Sequence, residues 1–127
     1  MVYRNPKIPP NYQTIMPYLI IPDASGFITF TQKVFNAIET HKTMRDEKII
    51  MHGEIMIDDC TIMFADCTEM FKPRTAGMFL YVINADETYK KALELGATSI
   101  QKPSDQPYGR SCGILDAFGN TWWITSL

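Results

Sequence analysis

The stretch DQPYGRSCGILDAFGNTWWIT, residues 105–125, decides the fold of this chain. It is typical of a β-hairpin, with one arm over residues 108–115, a turn over 116–120 and a second arm over 121–125. The turn contains an Asp that can accept hydrogen bonds from its own backbone and a Gly that tolerates a positive φ. The second arm is β-branched and aromatic, which suits a half-buried sheet. The rest of the chain is therefore expected to supply neighbours for this hairpin.

The composition is that of one soluble domain of 127 residues with a net charge of −2. No cluster of Lys or Arg exceeds the background, so we expect no nucleic-acid partner. No apolar run approaches the roughly 18 residues that span a bilayer, and the N-terminus lacks the apolar segment of a signal peptide. We therefore expect a cytoplasmic protein with no membrane partner and with three reduced cysteines.

The chain repeats one pattern of elements: a strand, a helix and three more strands. An extended arm over residues 1–13 comes first, because its three prolines exclude a helix. We expect this arm to lie over the body of the protein or over a partner subunit. The first module, residues 14–66, is predicted to contain strand 15–21, helix 24–36 and strands 38–45, 49–57 and 60–65.

The second module, residues 77–127, follows a linker over 67–76 and repeats the pattern at an offset near 60 residues. Its predicted elements are strand 77–83, a helix from the 84–86 cap to Gly96, a short strand 98–101, a loop 102–106 and the hairpin. In this register the turn Asp58-Asp59 corresponds to Phe118-Gly119. The fold class is therefore α+β, with two βαβββ modules that form a single domain. One face of each sheet takes a helix, and the other face needs cover from the other module or from a second subunit.

Several motifs in this framework resemble those of one family. They are the helix ends at 36–37 and 96–97, Met51-His52-Gly53-Glu54, Pro107-Tyr108-Gly109-Arg110 and Asp116-Ala117-Phe118-Gly119. Together they resemble the glyoxalase/bleomycin-resistance group, the vicinal oxygen chelate superfamily, and within it the PhnB-like branch. The resemblance covers residues 14–126, with Ala117 where the family turn usually has proline. It implies a curved mixed sheet around a cleft, with one helix per module on the outside, and a homodimer.

The resemblance also implies where a metal would be held. Family members with a metal bind it through four side chains, one from the first and one from the last strand of each module. By register the positions here are Met16, Met63, Gly77 or its neighbour Met78, and Trp123. Thioether and indole groups are poor ligands for the divalent metals that these enzymes use. We therefore expect no metal and no other cofactor, and a divalent metal is the disfavoured alternative.

Strand alternation assigns a set of side chains to the cleft. Most are Met or aromatic, with a few polar groups among them, and this mixture is typical of a small-molecule pocket. The predicted ligand-binding residues are Met16, Tyr18, His52, Glu54, Met63, Phe79, Tyr81, Tyr108, Arg110 and Trp123. Cys112 is placed on the same face as Arg110.

The polar members of this set each have two interpretations. His52 and Glu54, two apart on one strand, can form an acid/base pair, or they can pair with a neighbouring strand as a solvated rim pair. Arg110 can clamp a carboxylate or phosphate, or it can form a salt bridge to Glu54 or to a loop Asp. Tyr108 can orient a ligand oxygen or anchor its loop.

The sequence favours a metal-free protein that binds a small, partly aromatic or planar organic molecule in this cleft, with a second copy of the chain as partner. The alternative is an enzyme of the superfamily. It would be a metal-dependent lyase, isomerase or dioxygenase, or it would use His52 and Glu54 as catalytic acid and base. A third possibility is an interaction module without a ligand. Whether the chain is an enzyme stays open at the level of the sequence.

Overall fold

The computed structural model describes residues 5–127 as two open four-stranded sheets with two helices. The first module contains β1 (Tyr18–Ile21), α1 (Ala24–Phe35), β2 (Ile38–Met44), β3 (Ile50–Ile57) and β4 (Cys60–Asp66). The second module contains β5 (Gly77–Tyr81), α2 (Ala85–Glu94), β6 (Thr98–Gln106), β7 (Gly109–Leu115) and β8 (Thr121–Ser126). The prediction of an α+β fold with two βαβββ modules is confirmed.

Both sheets have the same mixed topology. The strand orders are β1-β4-β3-β2 and β5-β8-β7-β6. In each sheet the first strand of the module runs parallel to the last one, and the other pairs are antiparallel. The strand that precedes the helix, β1 or β5, therefore lies at one edge of its sheet. The strand that follows the helix, β2 or β6, lies at the other edge.

The helix ends lie where the local sequence signals predict them. The side chain of Asp23 accepts a hydrogen bond from the backbone N–H of Gly26 and caps α1, and Asn36 ends that helix in the left-handed region at φ 57°. The side chain of Asn84 caps α2 in the same way. Gly96 follows the end of α2 with φ 98°, a conformation that a residue with a side chain rarely adopts.

Three predicted boundaries are wrong by two residues or more. The strand predicted over residues 77–83 ends at Tyr81. The first strand begins at Tyr18 and not at residue 15. The segment 102–106, predicted as a loop, is the second half of β6, which pairs with β7 as far as Gln106 opposite Gly109. Proline is tolerated at position 103 because β6 is an edge strand whose register with β7 is interrupted between Gln101 and Ser104.

An aromatic cluster joins the two modules. Phe35 of α1 packs against Trp122 of β8 with 4.6 Å between ring centroids, and Phe27 meets Phe118 at 5.7 Å. Phe30 also contacts Phe118, at 6.1 Å. All of these side chains are buried in a single hydrophobic core. Helix α1 therefore packs against its own sheet and against the helix side of the second module.

The last strand of each module also holds the start of its helix. The Asp66 carboxylate accepts hydrogen bonds from the backbone N–H groups of Ala24 and Ile50, both at 2.7 Å. At the corresponding position, Ser126 Oγ accepts a hydrogen bond at 3.0 Å from the N–H of Ala85, the first residue of α2. The contacts to Ala24 and Ala85 satisfy helix donors that have no partner within the helix.

The end of the N-terminal arm lies on the first sheet. The side-chain amide of Gln13 donates to the Thr61 carbonyl at 2.8 Å, and its oxygen accepts from the Thr61 N–H at 3.2 Å. The Thr61 hydroxyl donates to the carbonyl of Asn11. Residues 11–13 are therefore fixed to β4, and the first four residues of the predicted arm lie outside the described part of the chain. None of the helices within residues 5–127 is long and apolar enough to cross a membrane.

Candidate functional site: the open faces of the two sheets

Each sheet has one face packed on the helix side and one open face. On the open face of the first sheet, cross-strand pairing places Tyr18 of β1 beside Met63 of β4, Met63 beside Glu54 of β3, and Glu54 beside His41 of β2. His52 lies two residues from Glu54 on the same face. The open face of the first sheet thus combines one thioether with several titratable groups.

The open face of the second sheet is aromatic. Phe79 of β5 lies opposite Trp123 of β8. Phe79 also contacts Tyr81 and Tyr108, with 5.5 Å and 6.2 Å between ring centroids. The Trp123 ring lies flat on Gly113 of β7, where a Cβ atom would stand 2.4 Å from a ring carbon, so this position admits no side chain without movement.

A continuous network of hydrogen bonds connects four side chains on the first sheet. The Tyr12 hydroxyl lies 2.8 Å from both carboxylate oxygens of Glu54 and donates to them. His52 Nε2 is 2.7 Å from Glu54 Oε2, and His52 Nδ1 is 2.9 Å from the Tyr18 hydroxyl. We call the chain Tyr12–Glu54–His52–Tyr18 the relay.

The surroundings of Glu54 keep it ionised. The residue is 5% exposed, and burial alone would raise the pKa of its carboxyl group. The hydrogen bonds from His52 and Tyr12, with a smaller electrostatic contribution from the His52 and His41 rings, outweigh burial and hold the pKa of Glu54 below its ordinary value. Burial, and then the negative charge of Glu54, raise the pKa of Tyr18, which therefore stays a neutral phenol at pH 7.

These partners fix the tautomer of the neutral His52 ring. An ionised carboxylate can only accept hydrogen bonds, so Nε2 carries the proton that faces Glu54. Nδ1 is then a bare acceptor, and the Tyr18 hydroxyl donates to it. The arrangement has the logic of a catalytic triad, in which a carboxylate orients an imidazole that in turn polarises a hydroxyl.

The structure brings eight of the predicted site residues together in two groups. Tyr18, His52, Glu54 and Met63 come together on the first open face, and Phe79, Tyr81, Tyr108 and Trp123 come together on the second. Met16 precedes β1 and is half-buried. Within one chain the two groups remain open to solvent, with Tyr18 48%, Phe79 51% and Tyr81 61% exposed.

The predicted position of Arg110 and Cys112 on the open face is wrong. Both lie on the helix side of the second sheet. Arg110 forms an ion pair with Asp86 of α2 at 2.9 Å and a second one with Asp105 at 3.3 Å. Cys112 is buried, with its sulfur 3.9 Å from the carbonyl of Ala85. Burial, and then the charge of Asp86, raise the pKa of this thiol to about 11, so it is not a reactive thiolate.

The error has a simple geometric cause. Four residues, 57–60, separate the paired residues Met56 and Thr61, but five residues, 116–120, separate Leu115 and Thr121. The offset between the modules is therefore 60 residues in β4 and β8 but 59 in β3 and β7. A shift of one residue moves every side chain of a strand to the other face. The counterparts of His52 and Glu54 are Ser111 and Gly113.

Sequence reasoning missed Tyr12, His41 and Arg45. His41 lies opposite Glu54 on β2, and its ring centroid is 5.7 Å from that of His52. If the pairing of β2 with β3 had been assigned, alternation along β2 would have placed His41 on the open face. Tyr12 reaches Glu54 across 42 positions of the chain from an arm without regular structure, and no local pattern signals that contact.

Two hollows adjoin these faces. One, of about 390 Å3, lies between the turn that joins β3 to β4 and strand β5, with Ile62, Met78 and Phe79 in its lining. The other, of about 330 Å3, lies beside Tyr18. Its lining is mainly apolar and comes from β1, β3, β4 and the linker, with one cationic side chain: Ile20, Arg45, Met51, Ala65, Thr68 and Phe71, with Asp66 at its base.

No family model matches the chain. Among proteins similar in sequence, an uncharacterized protein of Mycobacterium bovis is 28% identical over 120 residues, which cover 85% of this chain and 79% of that protein. An uncharacterized protein of Mycobacterium tuberculosis has the same identity over the same length and is covered to 71%. These similarities extend over most of the chain and assign no activity.

Solved structures define the class of fold. A gene product of Arabidopsis thaliana superposes with a TM-score of 0.74 at 18% identity, over 90% of this chain and 98% of that one. A member of the glyoxalase/bleomycin resistance protein/dioxygenase superfamily from Sphaerobacter thermophilus gives 0.64 at 18%, over 91% and 98%. A PhnB protein from Bacillus cereus gives 0.66 at 14%, over 91% and 100%. The chain therefore has the two-module fold of this superfamily.

The residues at the superfamily's metal positions do not fit a divalent metal. Met63 and Trp123 offer a thioether and an indole, Met16 offers a second thioether, and Gly77 offers no side chain. Neither donor type suits Mg²⁺, Mn²⁺ or Zn²⁺. Within residues 5–127, no group of three or more His, Cys, Asp or Glu side chains stands close enough to hold a metal ion.

Proposed function

We propose that the protein binds a small, partly aromatic or planar organic molecule on its open faces without a metal, as a member of the glyoxalase/bleomycin-resistance class and within its PhnB-like branch. The observation that carries this proposal is the chemistry of the open faces. Met16, Met63 and Trp123 occupy positions at which the resemblance would require hard ligands for a metal. An apolar lining with a few convergent polar groups is the usual composition of a ligand site.

We also propose that a second copy of the chain covers these faces. Tyr18, Phe79 and Tyr81 are about half exposed or more in one chain. Phe79, Tyr81 and Tyr108 contact one another, and a contiguous exposed apolar surface marks an interaction site more often than scattered exposed residues do. A homodimer that brings the first open face of one chain near the second open face of its partner would enclose a ligand between the relay and the aromatic cluster.

The first test is a metal analysis of protein purified without chelators, combined with light scattering and thermal unfolding. We expect a dimer, no stoichiometric metal and no rise in melting temperature with Mg²⁺, Mn²⁺ or Zn²⁺. A panel of small aromatic compounds should raise it, since a ligand at about 100 times its Kd adds about 2.7 kcal/mol of stability. Phe79→Ala should reduce that rise, whereas Ile100→Ala, a similarly exposed residue on β6, should not. About one tightly held metal per chain would overturn the proposal.

A second candidate function is acid/base catalysis, which the 2.7 Å contact of His52 with the buried Glu54 favours. In this case a panel of hemithioacetals, catechols and epoxides should contain a substrate. His52→Gln should then lower kcat by about 100-fold or more, the usual contribution of a positioned acid or base, with binding retained. His41→Gln is the matched control, because His41 lies beside the same carboxylate but donates no hydrogen bond to it. Equal effects of the two substitutions would argue against this candidate.

A further inference from the structure

Tyr18 is the member of the relay to which a bound molecule could form a hydrogen bond. Both ring nitrogens of His52 are engaged, one by Glu54 and the other by Tyr18. Glu54 is buried and also occupied by Tyr12. The Tyr18 hydroxyl belongs to a side chain that is 48% exposed. Among residues 5–127 it makes one hydrogen bond, to His52, and it keeps acceptor capacity for a second partner.

The groups that face His52 include one carboxylate and two further titratable side chains. Glu54 on β3 supplies a negative charge at 2.7 Å. His41 on β2 is a second titratable neighbour, with 5.7 Å between ring centroids, and its Nε2 is bonded to the Thr43 hydroxyl at 2.8 Å. Tyr18 on β1 is the remaining titratable neighbour. An imidazolium at His52 would therefore be paired directly with a carboxylate.

The hollow beside Tyr18 has the chemistry of a site for a small organic anion. Ile20, Met51 and Phe71 supply an apolar lining. Arg45 also lines it, and within the described residues its guanidinium forms no ion pair. The carboxylate of Asp66 lies at the base, where its two oxygens accept hydrogen bonds from backbone N–H groups of the interior.

We propose that this hollow binds a small planar molecule with an acidic hydroxyl, of the phenol or enol class, and that the relay takes up the proton of that hydroxyl. The proposal rests on the proposed function and specifies its ligand. The ligand O–H bond breaks and its proton moves to the Tyr18 oxygen, while the Tyr18 proton moves to Nδ1 of His52. The ligand is left as an oxyanion near Arg45, and the imidazolium is paired with Glu54. One proton is transferred, and no oxidant or co-reactant is needed.

Tyr12 is a positioning residue in this scheme. It contacts neither the hollow nor His52, but it holds both oxygens of Glu54 and so fixes the carboxylate that faces the imidazole. The arm that carries Tyr12 is held on β4 through Gln13 and Thr61. The arm and the strand thus fix the orientation of Glu54 before a ligand arrives, which is the condition for an effective relay.

The test uses 4-nitrophenol, whose hydroxyl ionises near neutral pH with a change in visible absorbance, and its methyl ether 4-nitroanisole, which has no proton to give. At a pH where free 4-nitrophenol is mainly neutral, we expect the bound compound to show the absorbance of the nitrophenolate. We expect 4-nitrophenol to bind about tenfold or more tightly than 4-nitroanisole, the effect of one charge-assisted hydrogen bond. Tyr18→Phe and His52→Gln should each abolish the absorbance change and this preference. Arg45→Gln should weaken 4-nitrophenol but not 4-nitroanisole.

Tyr89→Phe is the matched control, because it removes a tyrosine hydroxyl that belongs to α2 and is bonded to Ser99 Oγ at 2.6 Å, and it should change neither quantity. Circular dichroism of each variant shows whether it is folded. If both compounds bound with equal affinity and the bound 4-nitrophenol stayed neutral, proton uptake by the relay would be overturned. The proposed function would be unaffected by that result. An unchanged spectrum in Tyr18→Phe would overturn proton uptake by the relay as well. If the unaltered protein bound other aromatic compounds but neither of these two, the proposed ligand class would be overturned. If it bound no aromatic compound at all, the proposed function would be overturned as well.

Discussion

Replacing Trp122 by alanine is expected to lower the free energy of unfolding by about 3–5 kcal/mol, the range for removal of a large buried aromatic side chain. Trp122 is 1% exposed and packs against Phe35 and Phe27 of α1. Its loss would open a cavity between the two modules and remove an N–H donor to Asp116. Urea unfolding at fixed protein concentration, followed by circular dichroism, measures the change.

The neighbouring Trp123 is the matched control for this substitution. It has the same side chain one position along β8, but it lies half-buried on the open face. Trp123→Ala should therefore cost roughly half as much or less, since less apolar area returns to water. Losses of equal size in the two variants would show that the assignment of the two faces of β8 is incorrect.

Replacing Asp116 by alanine is expected to destabilise the protein by about 3–5 kcal/mol, because several buried donors lose their acceptor at about 1–3 kcal/mol each with incomplete additivity. The carboxylate accepts from the backbone N–H of Phe118 at 2.8 Å and of Asn120 at 2.9 Å. It also accepts from Asn120 Nδ2 at 3.1 Å and from Trp122 Nε1 at 2.8 Å. The same unfolding experiment gives the loss.

Asp105→Ala is the control for charge alone, since that carboxylate is on the surface and its ion pair with Arg110 is exposed; we expect a change of less than about 1 kcal/mol. Asp116→Asn retains one acceptor oxygen and should be intermediate. The double substitution at Asp116 and Trp122 should be less damaging than the sum of the single ones, because each removes the same hydrogen bond. If Asp116→Ala were no worse than Asp105→Ala, the turn would not depend on this carboxylate.

The elements that could be predicted from the sequence are those whose signals are local. Asp23, Asn36, Asn84 and Gly96 act within a few residues of themselves, so the ends of both helices were readable from the chain alone. The pair His52 and Glu54 was assigned to one face because alternation within a single strand needs no partner strand. The two-module fold follows from the repetition of these local patterns.

The parts of the site that could not be predicted depend on pairing between distant segments. The face of Arg110 depends on how β7 is aligned with β8, and an assumed constant offset between the modules gave the wrong face. The position of Tyr12 depends on the contact of Gln13 with Thr61, 48 positions away. The continuation of β6 past Pro103 depends on its place at the edge of the sheet. In each case the determining interaction lies outside any window of sequence that contains the residue.

The unequal turns of the two modules bear on how the two halves of the chain are compared. The additional residue of the second hairpin is accommodated within the turn, so β7 keeps the same two faces as β3 while its numbering shifts by one relative to β8. Histidine and glutamate in one half therefore correspond to serine and glycine in the other because the residue types differ at equivalent positions. An alignment of the two halves needs a gap at this turn, since an ungapped alignment pairs residues from opposite faces of the sheet.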